Sequence, residues 1–458
     1  MVNKQKLVSI SSFLTITYLA FFGFIFFSSN SLGSELISDN PNLFISEEYT
    51  DNVPDGILLI GADNVWNRTA GSPEIIVAVL DTGLDATHSD LVNALWNNTD
   101  EIPNNGIDDD DNNYIDDCHG WDFVRNNNDP FNLSIYDNSK YKSSLKRHGT
   151  HVTGTIAARL NNFGVVGVAP NVSIMTLRVV NESDWNPDIL VAEAIRYATN
   201  NGAQIISMSI GIYNEEITNS TSYQLVEDAL QYAFSMGVHI VASAGNDYPA
   251  PVIRPANNDY VIAVGAIDSM KKIASFSCQG PEVEVVAPGV NVYSTVPGDN
   301  FGSSSGTSMA VPHVSGALAL MISYDPSLTN TEARMILQQT AEDLGTSGRD
   351  DVYGFGLINL TRAIETIAAM KYTSTSTEST TLSSTNSETT PIFSSTSATI
   401  PSSTTTLETK TMYNSSSKTT NSSQINSKTT AIDGFLFYLF VLLVLPLTRL
   451  YQHRRERN

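Results

Sequence analysis

Apolar runs of strand length alternate with helical patterns between residues 58 and 370. These runs are rich in Val, Ile and Leu, and they are apolar throughout instead of alternating with polar residues. Continuous apolarity is typical of strands whose two faces are both covered by helices. In chain order the runs are EIIVAVLDTG, SIMTLRVV, AQIISMSIG, VHIVASAGN and YVIAVGAID. The pattern therefore predicts an α/β domain with a central, mostly parallel sheet flanked by helices.

Helical patterns separate several of these runs. The segments NPDILVAEAIRYATNNG and SYQLVEDALQYAFSMG have apolar residues at helical spacing and a glycine just past the end, which commonly stops a helix. In sheets built from such units, catalytic and ligand-binding side chains collect at the carboxyl ends of the strands. We therefore expect the functional residues directly after the apolar runs.

The acidic composition argues against one class of partner. The 458 residues include 48 Asp and Glu but only 25 Lys and Arg, which gives a formal net charge of −23. A phosphate backbone demands clusters of Lys and Arg, so no nucleic-acid partner is expected. An acidic surface fits a secreted domain or one that collects cations. The two cysteines, Cys118 and Cys278, could pair, stay as separate buried thiols or remain free.

The ends of the chain carry signals for export and for a membrane. Residues 1–30 predict a signal peptide or an N-terminal apolar anchor, followed by a short N-terminal segment at 31–57. Residues 432–450 predict a C-terminal transmembrane or sorting helix, and the basic residues 451–458 predict a cytoplasmic tail. The main body is therefore expected outside the cell on a single-pass anchor, or released or lipid-anchored after C-terminal processing.

A segment rich in Ser and Thr precedes the C-terminal apolar run. Residues 371–431 have almost no apolar side chains and cannot bury enough surface to offset the entropy of the chain. They predict a disordered stalk beneath a monomeric ectodomain. Asn-x-Ser/Thr sequons, including those at Asn67, Asn132 and Asn171, fit an exported glycoprotein.

Three short motifs carry residues suited to nucleophilic catalysis. Asp81 ends the run VAVLDTG, His148 opens RHGTHVTGTIAA, and Ser308 follows a Gly/Ser loop in SSSGTSMAVPHVSG. Singly, they could be a turn cap, a surface histidine and an ordinary residue at the start of a helix. Together they supply a carboxylate, a base and a hydroxyl nucleophile.

These motifs resemble those of the subtilisin-like serine proteases, the subtilases. DTGLDATHSDL, HGTHVTGTIAA, GVVGVAPNVSIMTLRV, ASAGN and GTSMAVPHVSGALAL occur in the order of that family. The resemblance extends from about Leu58 to Ala369. It implies a three-layer, subtilisin-like catalytic domain over residues 58–370 and a serine-type endopeptidase that hydrolyses polypeptide substrates.

The resemblance also implies roles for four side chains. Ser308 would attack the peptide carbonyl, and His148 would take its proton and later protonate the leaving amine. Asp81 would hold the imidazole in one tautomer. The side-chain amide of Asn246 and the backbone N–H of Ser308 would stabilise the oxyanion.

Two further histidines lie in or near the same helical motifs. The family pattern makes His151 and His313 packed helix residues without a catalytic role.

A catalytically idle subtilase fold, used as a surface binding or adhesion module, is the alternative function. The intact set of four catalytic residue types favours the enzyme.

Two segments match the substrate-binding regions of the family. SMSIG and ASAG would flank the primary specificity pocket, with extended substrate pairing as an added strand. The loop NDYPAPVIRPANND departs from familiar members, and whether Arg254 faces the pocket or the solvent stays open. The predicted substrate-binding residues are Ser209, Ile210, Gly211, Ser243 and Gly245.

Structural calcium is expected at two places. Asp90 and Asn161 match ligands of the common calcium site of the family. The second place is GIDDDDNNYIDDCHG, which has the 1, 3, 5, 7 and 9 offsets of a calcium loop, with Asn113 at the sixth position. His119 stands where an EF-hand needs Glu, so Asp117 or another loop would complete the shell. The predicted ligands in this stretch are Asp108, Asp110, Asn112, the carbonyl of Tyr114, and Asp116.

Overall fold

The computed structural model describes residues 51–181, 188–212 and 221–382, with side chains described up to residue 372. The predicted N-terminal leader, most of the stalk, the C-terminal helix and the basic tail lie outside these ranges. Among the described residues, no helix is both long enough and apolar enough to cross a membrane.

The strands of the described residues are β1 (Ile76–Asp81), β2 (Gly120–Asp122), β3 (Ser173–Arg178), β4 (Ile205–Met208), β5 (His239–Ser243), β6 (Ile262–Ile267), β7 (Val283–Pro288), β8 (Val292–Val296) and β9 (Asn300–Ser304). Seven of them form a sheet in the order β2-β3-β1-β4-β5-β6-β7. All pairs in this sheet are parallel, which confirms the predicted α/β class. A separate antiparallel hairpin consists of β8 and β9.

Helices flank this sheet. Among the described residues they are α1 (Asp55–Leu59), α2 (Lys142–Ala157), α3 (Asp188–Asn200), α4 (Thr221–Ser235), α5 (Thr307–Tyr324), α6 (Asn330–Thr340) and α7 (Leu360–Leu382). The helix α5 is buried along nearly its whole length and contacts β4 to β7, while α3 and α4 pack on each other. An apolar helix without a polar face is expected where it is enclosed on all sides.

The order of the strands creates a crevice at one edge of the sheet. After β1 the chain adds β2 and β3 on one side, and then crosses to the other side to add β4. Such a reversal opens a crevice at the carboxyl ends of the strands, where ligands bind in sheets of this kind. Asp81 is the last residue of β1, Ser209 follows β4, and Ser243 ends β5. The fold thus brings three predicted site segments to the same edge.

Described structure extends past both predicted domain limits, residues 58 and 370. On the N-terminal side, the backbone N–H of Asn52 donates to the carbonyl of Gly164 at 2.9 Å, and Gly56 packs against the imidazole of His313. On the C-terminal side, α7 continues to Leu382, into the segment predicted as a disordered stalk. Adding a residue to an existing helix requires no new nucleation, so a polar segment can extend a helix that packs elsewhere.

The two cysteines are separate buried thiols. Cys118 lies beside β2, and Cys278 lies behind the segment that ends with Asn246. Burial raises the pKa of both thiols. Of the three states that the sequence left open, the structure has the unpaired, buried one.

Candidate active site

Asp81 and His148 meet at the carboxyl end of β1. His148 lies in α2, and its Nδ1 is 2.8 Å from Asp81 Oδ1 and 3.0 Å from Oδ2. The carboxylate is fully buried, and its Oδ1 also accepts the backbone N–H of Thr82 at 2.6 Å. A Cβ on Gly149 would overlap the carbonyl oxygen of Gly83, so glycine lets α2 approach the end of the strand this closely.

Ser308 is the second residue of α5, at the mouth of the same crevice. Its side chain is buried except for a small exposed part, and its Oγ donates to the carbonyl of Ser209 at 3.1 Å. The first N–H groups of a helix have no partner within the helix, and together they form a partly positive end. The nucleophile candidate therefore lies where negative charge on a substrate is stabilised.

Asn246 faces this helix end with a fixed orientation. Its Oδ1 accepts the backbone N–H of Thr307 at 2.8 Å and the Thr307 hydroxyl at 3.1 Å. Because the amide oxygen is engaged in this way, the NH₂ group is the part left to act as a donor. Thr307 also accepts the backbone N–H of Gly245 at 3.2 Å, which ties the two segments together.

A cleft of about 530 Å³ joins these groups. His148, Asn246 and Ser308 line it together with four of the five predicted substrate residues, namely Ser209, Ile210, Gly211 and Ser243. The fifth, Gly245, has a φ of 111°. A Cβ at this position would lie 3.1 Å from Ile253, which also lines the cleft. The structure thus gathers the catalytic and substrate-binding candidates in one place.

Arg254 faces neither the cleft nor the solvent. Its guanidinium donates to Asp188 Oδ1 at 3.1 Å and lies 3.9 Å from the centre of the Tyr223 ring. Both charged partners are buried. Its backbone carbonyl accepts the N–H of Ile212 at 2.9 Å, which anchors the loop beside the cleft. The side chain therefore ties this loop to Asp188, the first residue of α3.

The two other helix histidines are packed, as the family pattern predicted. His151 donates Nε2–H toward the carbonyls of Val292 and Gly302, at 3.0 and 3.1 Å, and joins α2 to the β8–β9 hairpin. His313 is fully buried and its Nδ1 is 2.9 Å from the Met309 carbonyl. Burial lowers the pKa of each imidazole to about 4, so both are neutral at pH 7.

Asp90 and Asn161 lie together, as a shared calcium site would require. Asp90 accepts the side-chain amide of Asn161 and the backbone N–H of Val165, both at 3.1 Å. Asp51, which sequence reasoning missed, accepts backbone N–H groups from the same loop, including that of Asn162 at 3.0 Å. Burial raises the pKa of Asp90. The side chains here offer carboxylate and amide oxygens, which suit a hard cation such as Ca²⁺.

The acidic stretch uses two of its carboxylates in hydrogen bonds to its own backbone. The Asp108 carboxylate accepts the backbone N–H groups of Asn112 and Asn113, and the Asp116 carboxylate accepts those of Asn105 and Gly106. These hydrogen bonds turn the chain within the stretch. Asn113 has a φ of 75°, the left-handed conformation expected at the sixth position.

A different set of carboxylates converges instead. Glu101, Asp110 and Asp117 offer oxygen atoms that lie within 4.8 Å of one another. Burial raises the pKa of Glu101 and of Asp117, because the surroundings disfavour the charged form. Asn98 and Asn112 each donate to both Asp110 and Asp117. Of the five predicted ligands, only Asp110 belongs to this convergent set, and the Tyr114 ring packs against Trp121 and Tyr197.

The residues that sequence reasoning missed act through their neighbours. Thr82 orients Asp81 through its N–H and accepts the N–H of Gly149 at 3.0 Å, while Thr307 orients Asn246. Both lie next to a predicted catalytic residue in its motif, which is the signal that could have marked them. Glu101 carries no such signal, because it lies outside the acidic stretch in the sequence and only the fold brings it into contact with that stretch.

Comparison with known proteins agrees with this geometry. The family pattern described as the subtilase family matches residues 72–356. Subtilisin DY from Bacillus licheniformis is 38% identical over 317 residues, which cover 68% of this chain and 99% of that protein. Subtilisin E from Bacillus subtilis is 36% identical over 325 residues, which cover 70% of this chain and 74% of that protein. A thermostable alkaline protease from Halalkalibacterium halodurans is 37% identical over 329 residues, which cover 72% of this chain and 77% of that protein. The chain belongs to the subtilase family and is a subtilisin-like serine endopeptidase.

Proposed function

We propose that Ser308, His148, Asp81 and Asn246 carry out the peptidase reaction. The observation that carries the proposal is the 2.8 Å contact between His148 Nδ1 and Asp81 Oδ1, beside a cleft lined by Ser308 and Asn246. The carboxylate accepts a hydrogen bond from Nδ1–H and so keeps the proton on Nδ1, which leaves Nε2 as the basic nitrogen.

The reaction follows from these positions. His148 removes the proton of the Ser308 hydroxyl as Oγ attacks the peptide carbonyl, and the carbonyl oxygen becomes an oxyanion. The imidazolium then protonates the leaving amine, the peptide C–N bond breaks, and an acyl-enzyme remains. Water attacks this ester with the same base, and the acid product leaves with Ser308 restored. Asp81 stabilises the imidazolium in both halves.

Asn246 and the backbone N–H of Ser308 would stabilise the oxyanion. Both donors come from preorganised elements, one held by Thr307 and the other at the start of α5. Donors fixed before the reaction need no reorganisation as charge develops. Extended polypeptide would bind along Ser209, Ile210 and Gly211 as an added strand, which accepts many sequences.

We further propose that Ca²⁺ stabilises the fold. The oxygen donors around Asp90 and Asn161 suit this ion, and so do those of Glu101, Asp110 and Asp117. The bound ion would neutralise buried negative charge and would join the segments that carry its ligands. The predicted ligands Asp108, Asp110, Asn112, the Tyr114 carbonyl and Asp116 stay part of this proposal, and the convergence of Asp110 with Glu101 and Asp117 supports Asp110 most directly.

We also propose that the enzyme acts outside the cell on a membrane anchor. The apolar residues 432–450 and the basic tail after them support this proposal. Intact mass of the mature protein, purified from membranes, tests it. A mass that includes residues 432–458 is expected, whereas a shorter soluble form would replace the anchor with a processed end.

Peptide hydrolysis by the full chain tests the catalytic roles. Ser308→Ala and His148→Ala should each lower kcat by about 10⁴-fold or more, because the members of a triad act as a unit. His119→Ala, at a histidine outside the cleft, serves as the control and should keep its activity. A folded wild-type chain without peptidase activity would instead favour the idle binding module.

A further inference from the structure

The helix that carries Ser308 has a gap in its hydrogen bonding. Pro312 lies inside α5, four residues after Ser308. A helical residue normally donates its N–H to the carbonyl four residues earlier, but proline has no N–H. The carbonyl of the nucleophile residue therefore lacks its usual helical donor, in a position where leaving a buried carbonyl unpaired is costly.

The hydroxyl of Ser209 fills this gap. Ser209 Oγ donates to the Ser308 carbonyl at 2.8 Å, and both residues are buried. The contact is reciprocal, since Ser308 Oγ donates to the Ser209 carbonyl at 3.1 Å. Ser209 is thus bonded to both the backbone and the side chain of the nucleophile.

Ser209 is itself held by the sheet. It follows β4, which pairs with β1 and β5 on its two sides. A second serine pair joins the same strand and helix farther along, where Ser315 Oγ donates to Ser207 Oγ at 2.9 Å. That second pair touches neither Ser308 nor the cleft, so it provides a matched comparison.

We propose that Ser209 is a positioning residue for the nucleophile. Its hydroxyl replaces the N–H that Pro312 lacks, and it fixes the first turn of α5 on the end of β4. The position of Ser308 Oγ is thereby set relative to His148, which is fixed on β1 through Asp81. This inference rests on the proposed role of Ser308. The backbone of Ser209 would pair with substrate, and its side chain would have the separate task of positioning the nucleophile.

The kinetic signature follows from this arrangement. A small displacement of a reacting atom can cost about 100-fold in rate, while binding of the substrate backbone is left largely intact. We expect Ser209→Ala to lower kcat by roughly 10- to 100-fold with KM changed less than about threefold. Ser209→Thr, which keeps the hydroxyl, should recover most of this loss.

The test is a set of variants of the full chain, with kcat and KM measured on one peptide substrate. Ser207→Ala is the matched control, and we expect its kcat to stay near that of the wild type. In the Pro312→Ala background, the N–H restored at position 312 can donate to the Ser308 carbonyl. The loss caused by Ser209→Ala should therefore shrink to about threefold or less in that background.

The outcomes separate this inference from the proposed function. Equal kcat values for Ser209→Ala and Ser207→Ala, or an undiminished loss in the Pro312→Ala background, would overturn the positioning role. A wild-type chain that is folded but inactive would instead overturn the role of Ser308. Thermal unfolding of each variant checks folding. If Ser209→Ala does not fold, Ser209→Cys, which keeps the shape but has a weak donor, should show the same selective loss in kcat.

Discussion

Single residues of this active site are oriented by neighbours that do not themselves react. Thr82 holds Asp81, Thr307 holds Asn246, and the structure gives each of them a direct hydrogen bond to a catalytic candidate. A catalytic side chain needs one orientation out of several, and hydrogen bonds from neighbours in the fold restrict it. Loss of a single polar group beside a catalytic residue is therefore expected to lower kcat.

The oxyanion role of Asn246 gives the first prediction. Asn246→Ala should lower kcat by about 10²- to 10³-fold, because one preorganised donor is lost while substrate contacts remain. Steady-state kinetics on a peptide substrate measures this effect. Asn257→Ala, at an exposed asparagine farther along the chain, is the control and should leave kcat unchanged. Equal, small effects of both substitutions would contradict the assignment.

Buried His313 gives a prediction about pH. Its pKa is lowered from 6.5 to about 4 by burial, so the unfolded chain binds a proton between these values that the native protein does not. The stability due to neutral His313 is present above pH 6.5 and is lost as the pH falls toward 4. Buried carboxyls with raised pKa, such as Asp122, act in the opposite sense. The effect of His313 must therefore be isolated by substitution.

The variant is His313→Asn in a Ser308→Ala background, which prevents self-digestion. Asn can still donate to the Met309 carbonyl but has no titratable group. Denaturant unfolding at pH 7, 6 and 5 should show that the free energy of unfolding falls less with acidification than in the parent. Parallel pH profiles for the two proteins would count against a neutral, buried imidazole.

At the scale of elements, the segment between β1 and α2 supports the catalytic edge of the sheet. The Tyr136 hydroxyl lies 2.7 Å from the Val180 carbonyl and 3.1 Å from that of Thr82, while buried Arg178 donates to the same Thr82 carbonyl at 3.1 Å. These contacts fix the chain directly after β1 and β3. The long segment between β1 and α2 is thus part of the framework of the site.

Removal of the Tyr136 hydroxyl tests this support. Tyr136→Phe leaves a buried carbonyl without its donor, and should lower the free energy of unfolding by about 1–3 kcal/mol. Denaturant unfolding in the Ser308→Ala background gives the value. Tyr141→Phe removes the hydroxyl of a more exposed tyrosine from the same segment between β1 and α2. This change should alter the free energy of unfolding by less than about 0.5 kcal/mol. If the two variants lose equal stability, the segment has no special part in holding this edge.

The elements themselves could be predicted, but the partners of their side chains could not. Continuous apolar runs indicated a buried parallel sheet, because few other structures bury such strands on both faces. In the acidic stretch, the carboxylates of Asp108 and Asp116 also accept backbone N–H groups, and Glu101 joins Asp110 and Asp117 from outside the stretch. Spacing along a chain says which carboxylates are available, not which of them the loop uses for its own turns. For the same reason Arg254 could not be placed before Asp188 was seen beside it.

At the scale of the whole molecule, the fold carries a large negative charge, and several carboxylates are buried. The net charge of −23 and the buried Asp90, Glu101 and Asp117 would destabilise the compact state if left without cations. Calcium bound to the native protein alone stabilises it by mass action, by about 2.7 kcal/mol at 100 times its Kd. Calcium dependence is therefore expected of the molecule as a whole.

Chelation tests this dependence. Removal of Ca²⁺ from the Ser308→Ala protein should lower Tm by several degrees, as measured by differential scanning calorimetry. Asp110→Ala should remove part of that difference, since Asp110 lies with Glu101 and Asp117. Asp111→Ala, at the exposed neighbour, is the control and should keep the full difference. An identical calcium response in all three proteins would show that the acidic stretch is only a charged loop.

The central claim, that Ser308 is an activated nucleophile, is tested most directly by covalent labelling. The full-length wild-type protein is treated with a fluorophosphonate, and the modified residue is identified by peptide mapping and mass spectrometry. We predict one adduct, on Ser308, that is absent from Ser308→Ala and forms far more slowly in His148→Ala. A folded wild-type protein that forms no adduct, or one that is labelled at another serine, would contradict the account.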